Sequence, residues 1–174
     1  MKKSSKYIGF SVIIVFLVIL SLYFYGNTGI SKMNIEKDAR KSQYIDDSWQ
    51  VSKDTTNTIS AMIFYDGDFI NHTISIYVKR HGLSSGYFFR AGGNIGSDID
   101  QGVGEIIIEG YEERIFMSMN RLQISKIEID NGNDISSIDI DSTKPFVVIL
   151  PANSGAITIY DTNGNSVNST QYNL

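Results

Sequence analysis

An uncharged, apolar stretch near the N-terminus constrains this chain more than any other feature. It runs from Tyr7 to Tyr25 with the sequence YIGFSVIIVFLVILSLYFY. As an α-helix this stretch would rise about 27–29 Å, close to the ~30 Å hydrocarbon thickness of a bilayer. A cleaved signal peptide usually has an apolar core of only about 7–15 residues, followed by a small-x-small cleavage site. The longer run here ends in Tyr-Phe-Tyr-Gly, which favours an uncleaved transmembrane anchor.

The charges around the apolar run predict its orientation. Lys2, Lys3 and Lys6 lie on its N-terminal side, and the positive-inside tendency keeps that end in the cytoplasm. The predicted organisation is a basic cytoplasmic tail at 1–6, an anchor at 7–25, a polar stalk at 26–47 and an extracellular domain at 48–174. A tail this short cannot form a kinase, a DNA-binding domain or a receiver. A single span also cannot make an alternating-access transporter without partners.

The beginning of the apolar run carries a short motif. The segment Gly9-Phe10-Ser11-Val12-Ile13 resembles the start of the type IV prepilin pattern Gly-Phe-Thr-Leu. That resemblance implies an assembly subunit whose long helix continues past the membrane. The chain departs from the pilin pattern at Ile14, where pilins usually carry Glu, and the glycines at 26 and 29 would interrupt such a helix.

Charge and cysteine usage exclude several classes of function for the outer region. Twelve basic residues follow the first three lysines against nineteen acidic residues, which gives a formal charge of −7. An acidic domain is not expected to bind nucleic acid or to lie flat on an anionic membrane. The absence of cysteine excludes a disulfide scaffold, a thiol nucleophile, a cysteine-bound metal and a lipid-modified N-terminal cysteine. No cofactor is predicted.

From Trp49 onward the sequence shows short apolar runs separated by turn residues, with no sustained helical period. This pattern predicts an all-β fold, an antiparallel β-sandwich of the immunoglobulin-like or jelly-roll type with about eight to ten strands. The segments 106–108 and 146–150 are apolar on both parities and predict strands that are packed on both faces. Leu122 and Ile124 differ in parity from Ile127 and Ile129, which predicts a β-bulge near Ser125-Lys126 that keeps all four on the core side.

The segment 26–47 is polar and mixed in charge, and we interpret it as a stalk that buries few groups. It could form a short helix from Ser31 to Gln43 with Ser31 as its cap. A fragment that begins near Asp47 is therefore expected to fold alone.

A pentapeptide matches a catalytic motif. Gly82-Leu83-Ser84-Ser85-Gly86 has the G-x-S-x-G spacing of a nucleophile elbow, which requires a strand-to-helix turn and a later histidine. A strand-like run at 87–90 follows instead, and His72 and His81 both precede the serine. We interpret the motif as a hairpin and the histidines as exposed loop residues, because neither has a second histidine at ligand spacing.

Acidic and glycine-rich segments were the remaining candidates for a site. The pairs Asp66/Asp68, Asp98/Asp100 and Asp139/Asp141 have the oxygen chemistry that calcium prefers, but none matches the EF-hand spacing, and Asp161-Thr-Asn163-Gly164 places its glycine too early. Asp and Asn beside Gly are what turns require, so no metal or catalytic residue is predicted. The segment 91–104 lacks the lysine of a P-loop, and it is either a mobile loop or part of a binding face beside Tyr87, Phe88 and Phe89.

The combined prediction is a single-pass protein of a bacterial cell membrane, attached to the bilayer by one helix. Its outer domain is expected to be a non-catalytic module that binds another envelope protein or a cell-wall component. Two alternatives remain: a small cell-wall glycan hydrolase, which any suitably placed pair of carboxylates could support, and a pilin-like subunit.

Overall fold

The computed structural model describes residues 3–82, 84–94 and 96–174. Met1 and Lys2 of the predicted basic tail, Leu83 of the G-x-S-x-G segment and Ile95 of the glycine-rich segment lie outside the described residues. The chain is mostly β, as predicted, with one long apolar helix near its N-terminus. The helices are α1 (Lys3–Asn27), α2 (Ile35–Ser42) and α3 (Ser97–Gln101), with a 3-10 turn at Lys32–Asn34.

Helix α1 contains the apolar run. Its window Phe10–Asn27 has a mean hydropathy of 2.1 and none of it is buried against the rest of the chain. By length and composition this helix is a candidate membrane span. The chain leaves helical geometry after Asn27 and is extended at residues 28–30, so the long continuous helix that a pilin would need is not found there.

Twelve strands lie within the described residues and form three four-stranded sheets. The first sheet has the order β1-β2-β3-β4, the second β12-β5-β6-β9 and the third β11-β10-β7-β8. The strands are β1 (Gln50–Thr55), β2 (Ile59–Tyr65), β3 (His72–Val78), β4 (Phe88–Asn94), β5 (Val103–Ile107), β6 (Glu113–Ser118), β7 (Ile124–Asp130), β8 (Ile135–Asp139), β9 (Phe146–Pro151), β10 (Ala156–Asp161), β11 (Ser166–Val167) and β12 (Ser169–Asn173).

The prediction of a β-rich domain is confirmed, with α2 and α3 in addition to the strands, whereas the immunoglobulin-like or jelly-roll sandwich is not confirmed. There is a third sheet, and β12 pairs with β5 in parallel. The physical reason lies in β9, which is apolar on both faces as predicted. Val147 and Ile149 pack into the core shared with the first sheet, and Phe146, Val148 and Leu150 pack into the core shared with the third. The second sheet therefore needs cover on both sides.

The predicted β-bulge is confirmed. Tyr160 pairs with Lys126 and Asp161 pairs with Ile124, so Ser125 is the extra residue on β7. Ile124 and Ile127 are both buried as a result. Leu122, which was expected to join them, lies before the strand and is exposed.

The segment predicted to be a stalk is packed into the fold. Ile35 is 2% exposed and Ala39 is 0% exposed, and α2 lays both on the outer face of the first sheet, against Met62, Phe64, Tyr77 and Tyr87. The expectation that this segment buries few groups is therefore wrong. Two apolar positions four residues apart are enough to give a short helix a buried stripe, but too few to stand out as a helical period. The helix also begins later than predicted, and Ser31 makes no side-chain cap.

Candidate functional site

A solvent-open cleft of about 480 Å³ lies at one end of the first sheet. There the loop after α2 meets the β2–β3 hairpin and the end of β4. The lining residues are Gln43, Tyr44, Ile45, Trp49, Ile70, Asn71, His72, Thr73 and Asn94. We call this site the amide cleft, because three of these side chains are amides and, among the described residues, no carboxylate, lysine or arginine lines it. The cleft can therefore offer a ligand hydrogen bonds from uncharged side chains and the aromatic rings of Tyr44 and Trp49.

Gln43 is held at the base of the cleft by the first sheet. Its amide oxygen accepts a hydrogen bond from the Thr73 hydroxyl at 2.9 Å, and its amide nitrogen donates to the backbone oxygen of Ile74 at 3.1 Å and to the Ser75 hydroxyl. A Cβ at Gly92 would lie 2.8 Å from that amide nitrogen. The glycine-rich end of β4 is thus needed for Gln43 to lie flat across the strands, and α2 is joined to β3 by polar contacts as well as by packing.

Arg40 shapes the loop at the rim of the cleft. Its guanidinium donates to the backbone oxygens of Asp46 and Trp49, both at 3.0 Å, and lies 5.0 Å from the centre of the Phe64 ring. The loop that it holds contains Tyr44, which has a positive φ of 56° and a side chain that is 96% exposed. A bulky residue in the left-handed region is uncommon and often marks a functional position.

Asp66 organises the hairpin on the opposite rim. Its carboxylate accepts the backbone N–H of Ile70 at 2.9 Å and the side-chain amide of Asn71 at 2.7 Å, and the hydrogen bond from Asn71 in particular lowers the pKa of Asp66. The hairpin loop spans residues 66–71, and its positive φ falls at Phe69. This loop leaves Ile70 exposed at the edge of the cleft.

His72 forms the wall between the cleft and α3. Its side chain is 14% exposed, and its Nε2 lies 3.8 Å from Oδ1 of Asp100, an oxygen that also lies 3.4 Å from Nη2 of Arg121. Its Nδ1 is buried and has no hydrogen-bond partner within the described chain. The prediction of an exposed loop histidine is wrong here, because β3 begins at His72 and α3 packs nearby. It holds for His81, which is exposed and lies 2.9 Å from the Gly110 carbonyl oxygen.

Other polar groups of the cleft are also available to a ligand. Tyr44, Trp49 and Asn94 line it, and none of the side-chain hydrogen bonds between described residues involves their side chains. A partly buried tryptophan normally finds a partner for its N–H. These groups supply donors and acceptors beside two aromatic faces.

The remaining sequence candidates serve local structure. Ser84 Oγ donates to the Arg80 backbone oxygen at 2.8 Å, within its own loop. The Asp161 carboxylate accepts the backbone N–H groups of Asn163 and Asn165, both at 2.8 Å, and Asp141 accepts that of Thr143 at 3.0 Å, as expected of turn residues. Within the described parts of the chain, no three His, Asp or Glu residues are grouped as metal ligands.

Three other clefts carry pairs of carboxylates. They have volumes of about 780, 330 and 450 Å³ and contain the pairs Glu36/Asp47, Glu36/Asp54 and Asp139/Asp141. A glycosidase needs one carboxyl group with a raised pKa to act as the general acid. In these clefts the hydrogen bond from Lys53 lowers the pKa of Glu36 and that from Lys144 lowers the pKa of Asp141, which suits neither of these two groups to the role of the general acid.

The chain matches no family model, curated protein or solved structure. The amide cleft therefore has to be interpreted from its own chemistry. It combines an exposed tyrosine, a tryptophan and the amide of Asn94, and its lining residues include no carboxylate, lysine or arginine.

Proposed function

We propose that this protein is a single-pass, membrane-anchored binding module of a bacterial cell envelope, with its N-terminus in the cytoplasm and its β domain outside. In this proposal the amide cleft binds a neutral, hydrogen-bonding ligand, and the glycan strand of the cell wall is the class that fits best. The first and second sheets, which share one core, would act as a sandwich-like support for the cleft. The immunoglobulin-like or jelly-roll type stays a prediction.

The neutrality of the cleft is the observation that carries this proposal. Binding sites are mostly apolar or aromatic surfaces with a few polar groups that fix orientation, and here the polar groups are amides and an imidazole. A sugar ring offers hydroxyl and acetamido groups for hydrogen bonding and an apolar face for Tyr44 or Trp49. A charged ligand would find no compensating charge among the residues that line this cleft.

A protein partner is the second candidate and has its own supporting observation. Tyr44 lines both the amide cleft and the 780 Å³ cleft on the other side of α2. Met33, which is 93% exposed, lines the second cleft. Exposed aromatic side chains between two concavities are typical anchors of protein interfaces.

Trp49 gives a direct test of the ligand, because it is the only tryptophan in the chain and lines the cleft. Oligosaccharides of N-acetylglucosamine, added to the full chain in nanodiscs, should change its emission in a saturable way. Asn94→Ala should weaken binding by about five- to tenfold, the effect of one lost hydrogen bond. Asn163→Ala, in the distant β10–β11 turn, is the matched control. If no oligosaccharide gives a saturable change while an envelope protein crosslinks through position 44, the protein-partner alternative replaces the glycan.

Topology needs a separate test. Protease added to intact protoplasts should remove the domain beyond Gly26 and leave a small anchored fragment. Protection of the whole chain would contradict the orientation.

A further inference from the structure

The residues between β3 and β4 together with the first three residues of β4, described at 79–82 and 84–90 and here called the joint loop, are hydrogen-bonded to the end of α1. The backbone N–H of Ser85 donates to the Asn27 oxygen at 2.9 Å, and Gly29 N donates to the Ser85 oxygen at 2.6 Å. Ile30 and Tyr87 exchange two backbone hydrogen bonds of 2.7 and 2.8 Å. The first residues after the candidate span are therefore paired with the domain, with no free linker between them.

Two glycines make this contact possible. A Cβ at Gly29 would lie 2.6 Å from the Tyr87 backbone oxygen and 2.8 Å from the Phe88 ring. A Cβ at Gly86, whose φ is 79°, would lie 2.7 Å from the Gly29 backbone. The backbone after α1 and the backbone of the joint loop can approach this closely only because both positions lack side chains. The joint loop is therefore held against the end of α1.

The joint loop is basic and aromatic. Lys79, Arg80 and Arg90 are exposed, and none of the ion pairs between described residues involves them. The Arg80 guanidinium lies 4.1 Å from the centre of the Phe88 ring, and Phe89 is 52% exposed. The sequence has no acidic residue between 69 and 97, although the domain as a whole is acidic.

One acidic element packs against this loop. The hairpin between β5 and β6 carries Glu109, Glu112 and Glu113, and it contacts the loop through Tyr111, whose hydroxyl donates to the Lys79 backbone oxygen at 2.6 Å. The positive surface is therefore local. A local positive surface allows one edge of the domain to contact an anionic membrane. It is consistent with the expectation that the acidic domain as a whole does not lie flat on such a membrane.

We propose that the joint loop docks on the phosphate headgroups of the bilayer that α1 spans, with Arg80 and Arg90 binding phosphates. This inference rests on the proposed anchoring. An 18-residue window ending at Asn27 places the helix end at the membrane surface, and the hydrogen bonds of Ser85 keep the loop at the same level. Transmembrane helices tilt by about 20° on average, and unpaired cations on one side bias that tilt. Near an anionic surface each cation changes the docked population by about fivefold.

Single-cysteine labelling tests the docking, since the chain has no cysteine of its own. Full-length Ser85→Cys and Asn133→Cys, the latter in the distant β7–β8 turn, are labelled with an environment-sensitive fluorophore. Each is placed in nanodiscs of phosphatidylcholine and phosphatidylglycerol that contain a lipid with a nitroxide headgroup. The label at 85 should be quenched several-fold more than the label at 133. Arg80→Gln with Arg90→Gln should reduce the quenching at 85, whereas Lys37→Gln with Lys41→Gln, the same change of charge on α2, should not.

The outcomes separate docking from anchoring. Equal quenching at 85 and 133 in a chain that resists carbonate extraction would overturn the docking and leave the anchor intact. Quenching at 85 that the arginine variant does not change would overturn phosphate binding by Arg80 and Arg90. Extraction of the wild-type chain by carbonate would overturn the anchor and, with it, the docking.

Discussion

Ile35→Ala tests whether α2 is an integral layer of the domain. Ile35 packs against the outer face of the first sheet, and the eight residues of α2 are too few for a stable isolated helix, which needs about 12–15. The helix is therefore held by its contacts with the sheet. Truncating its most buried large side chain should loosen the whole helix and expose the face beneath it.

The expected loss follows from the burial. Replacing a buried isoleucine by alanine costs about 2–5 kcal/mol, and we expect about 2–3 kcal/mol because a short surface helix can shift to fill part of the cavity. For a chain of this length, 1 kcal/mol corresponds to about 2–4 °C in Tm. The melting temperature of the β domain in nanodisc-embedded full-length protein should thus fall by about 4–12 °C, as measured by near-UV circular dichroism.

Met33→Ala is the matched control, because Met33 lies in the 3-10 turn directly before α2 and is almost fully exposed. Its effect should stay within about 0.5 kcal/mol, as for most surface substitutions. A loss below that value for Ile35→Ala would refute the structural role of α2. It would also restore the sequence-based expectation that a fragment starting near Asp47 folds alone. The structure predicts instead that such a fragment binds a hydrophobic dye, because Phe64 and Tyr77 lose their cover.

Three further predictions concern single contacts. Gly92→Ala should destabilise the domain by about 1–3 kcal/mol in urea unfolding, because the new Cβ meets Gln43, whereas Gly67→Ala, which has open space, should not destabilise it. Asn120→Ala should cost about 3 kcal/mol in the same assay, because the two N–H groups of its buried amide are shared among three backbone carbonyl oxygens; an unchanged midpoint would contradict this. Burial raises the pKa of Tyr77, so the contribution of its protonated hydroxyl to folding stability is complete below pH ~10 and is lost as the pH rises. Tyr77→Phe should therefore flatten the alkaline decline in Tm, and a pH profile identical to that of the wild type would contradict the assignment.

The sequence predicted the features that local patterns determine. Alternation located most strands, and the parity slip between Ile124 and Ile127 identified the bulge at Ser125. The doubly apolar run at 146–150 also identified a strand packed on two faces. It did not reveal what lies on the second face, because the partners β7 and β10 alternate like strands of any sheet. The number of layers depends on long-range pairing, and the parallel pairing of β12 with β5 has no local signal.

The candidate site was harder to predict. Gln43, Tyr44 and Asn94 are ordinary polar or exposed residues in the sequence, and only the docking of α2 brings the first two beside β3 and β4. The sequence predicts His72 in a loop, since the apolar run that indicates β3 starts at Ile74. A signal was present in the α2 segment, where Ile35 and Ala39 are four residues apart on a helix with acids in its first turn and bases in its last, the pattern that the helix dipole favours.

The two proposed surfaces lie at opposite ends of the same pair of strands. Strand β3 begins at His72 in the amide cleft and ends at Val78, next to the joint loop, and antiparallel β4 returns from Phe88 to Asn94 in the cleft. Seven residues of strand span roughly 20 Å. In the proposed arrangement, with α1 in the bilayer and the joint loop at the headgroups, the cleft would lie about that distance from the membrane. Because Gly29 and Gly86 let the end of α1 pair directly with the joint loop, the proposed orientation would need no flexible linker, and the segment 26–47 carries Gln43 and Tyr44 to the end of the first sheet that is opposite the joint loop.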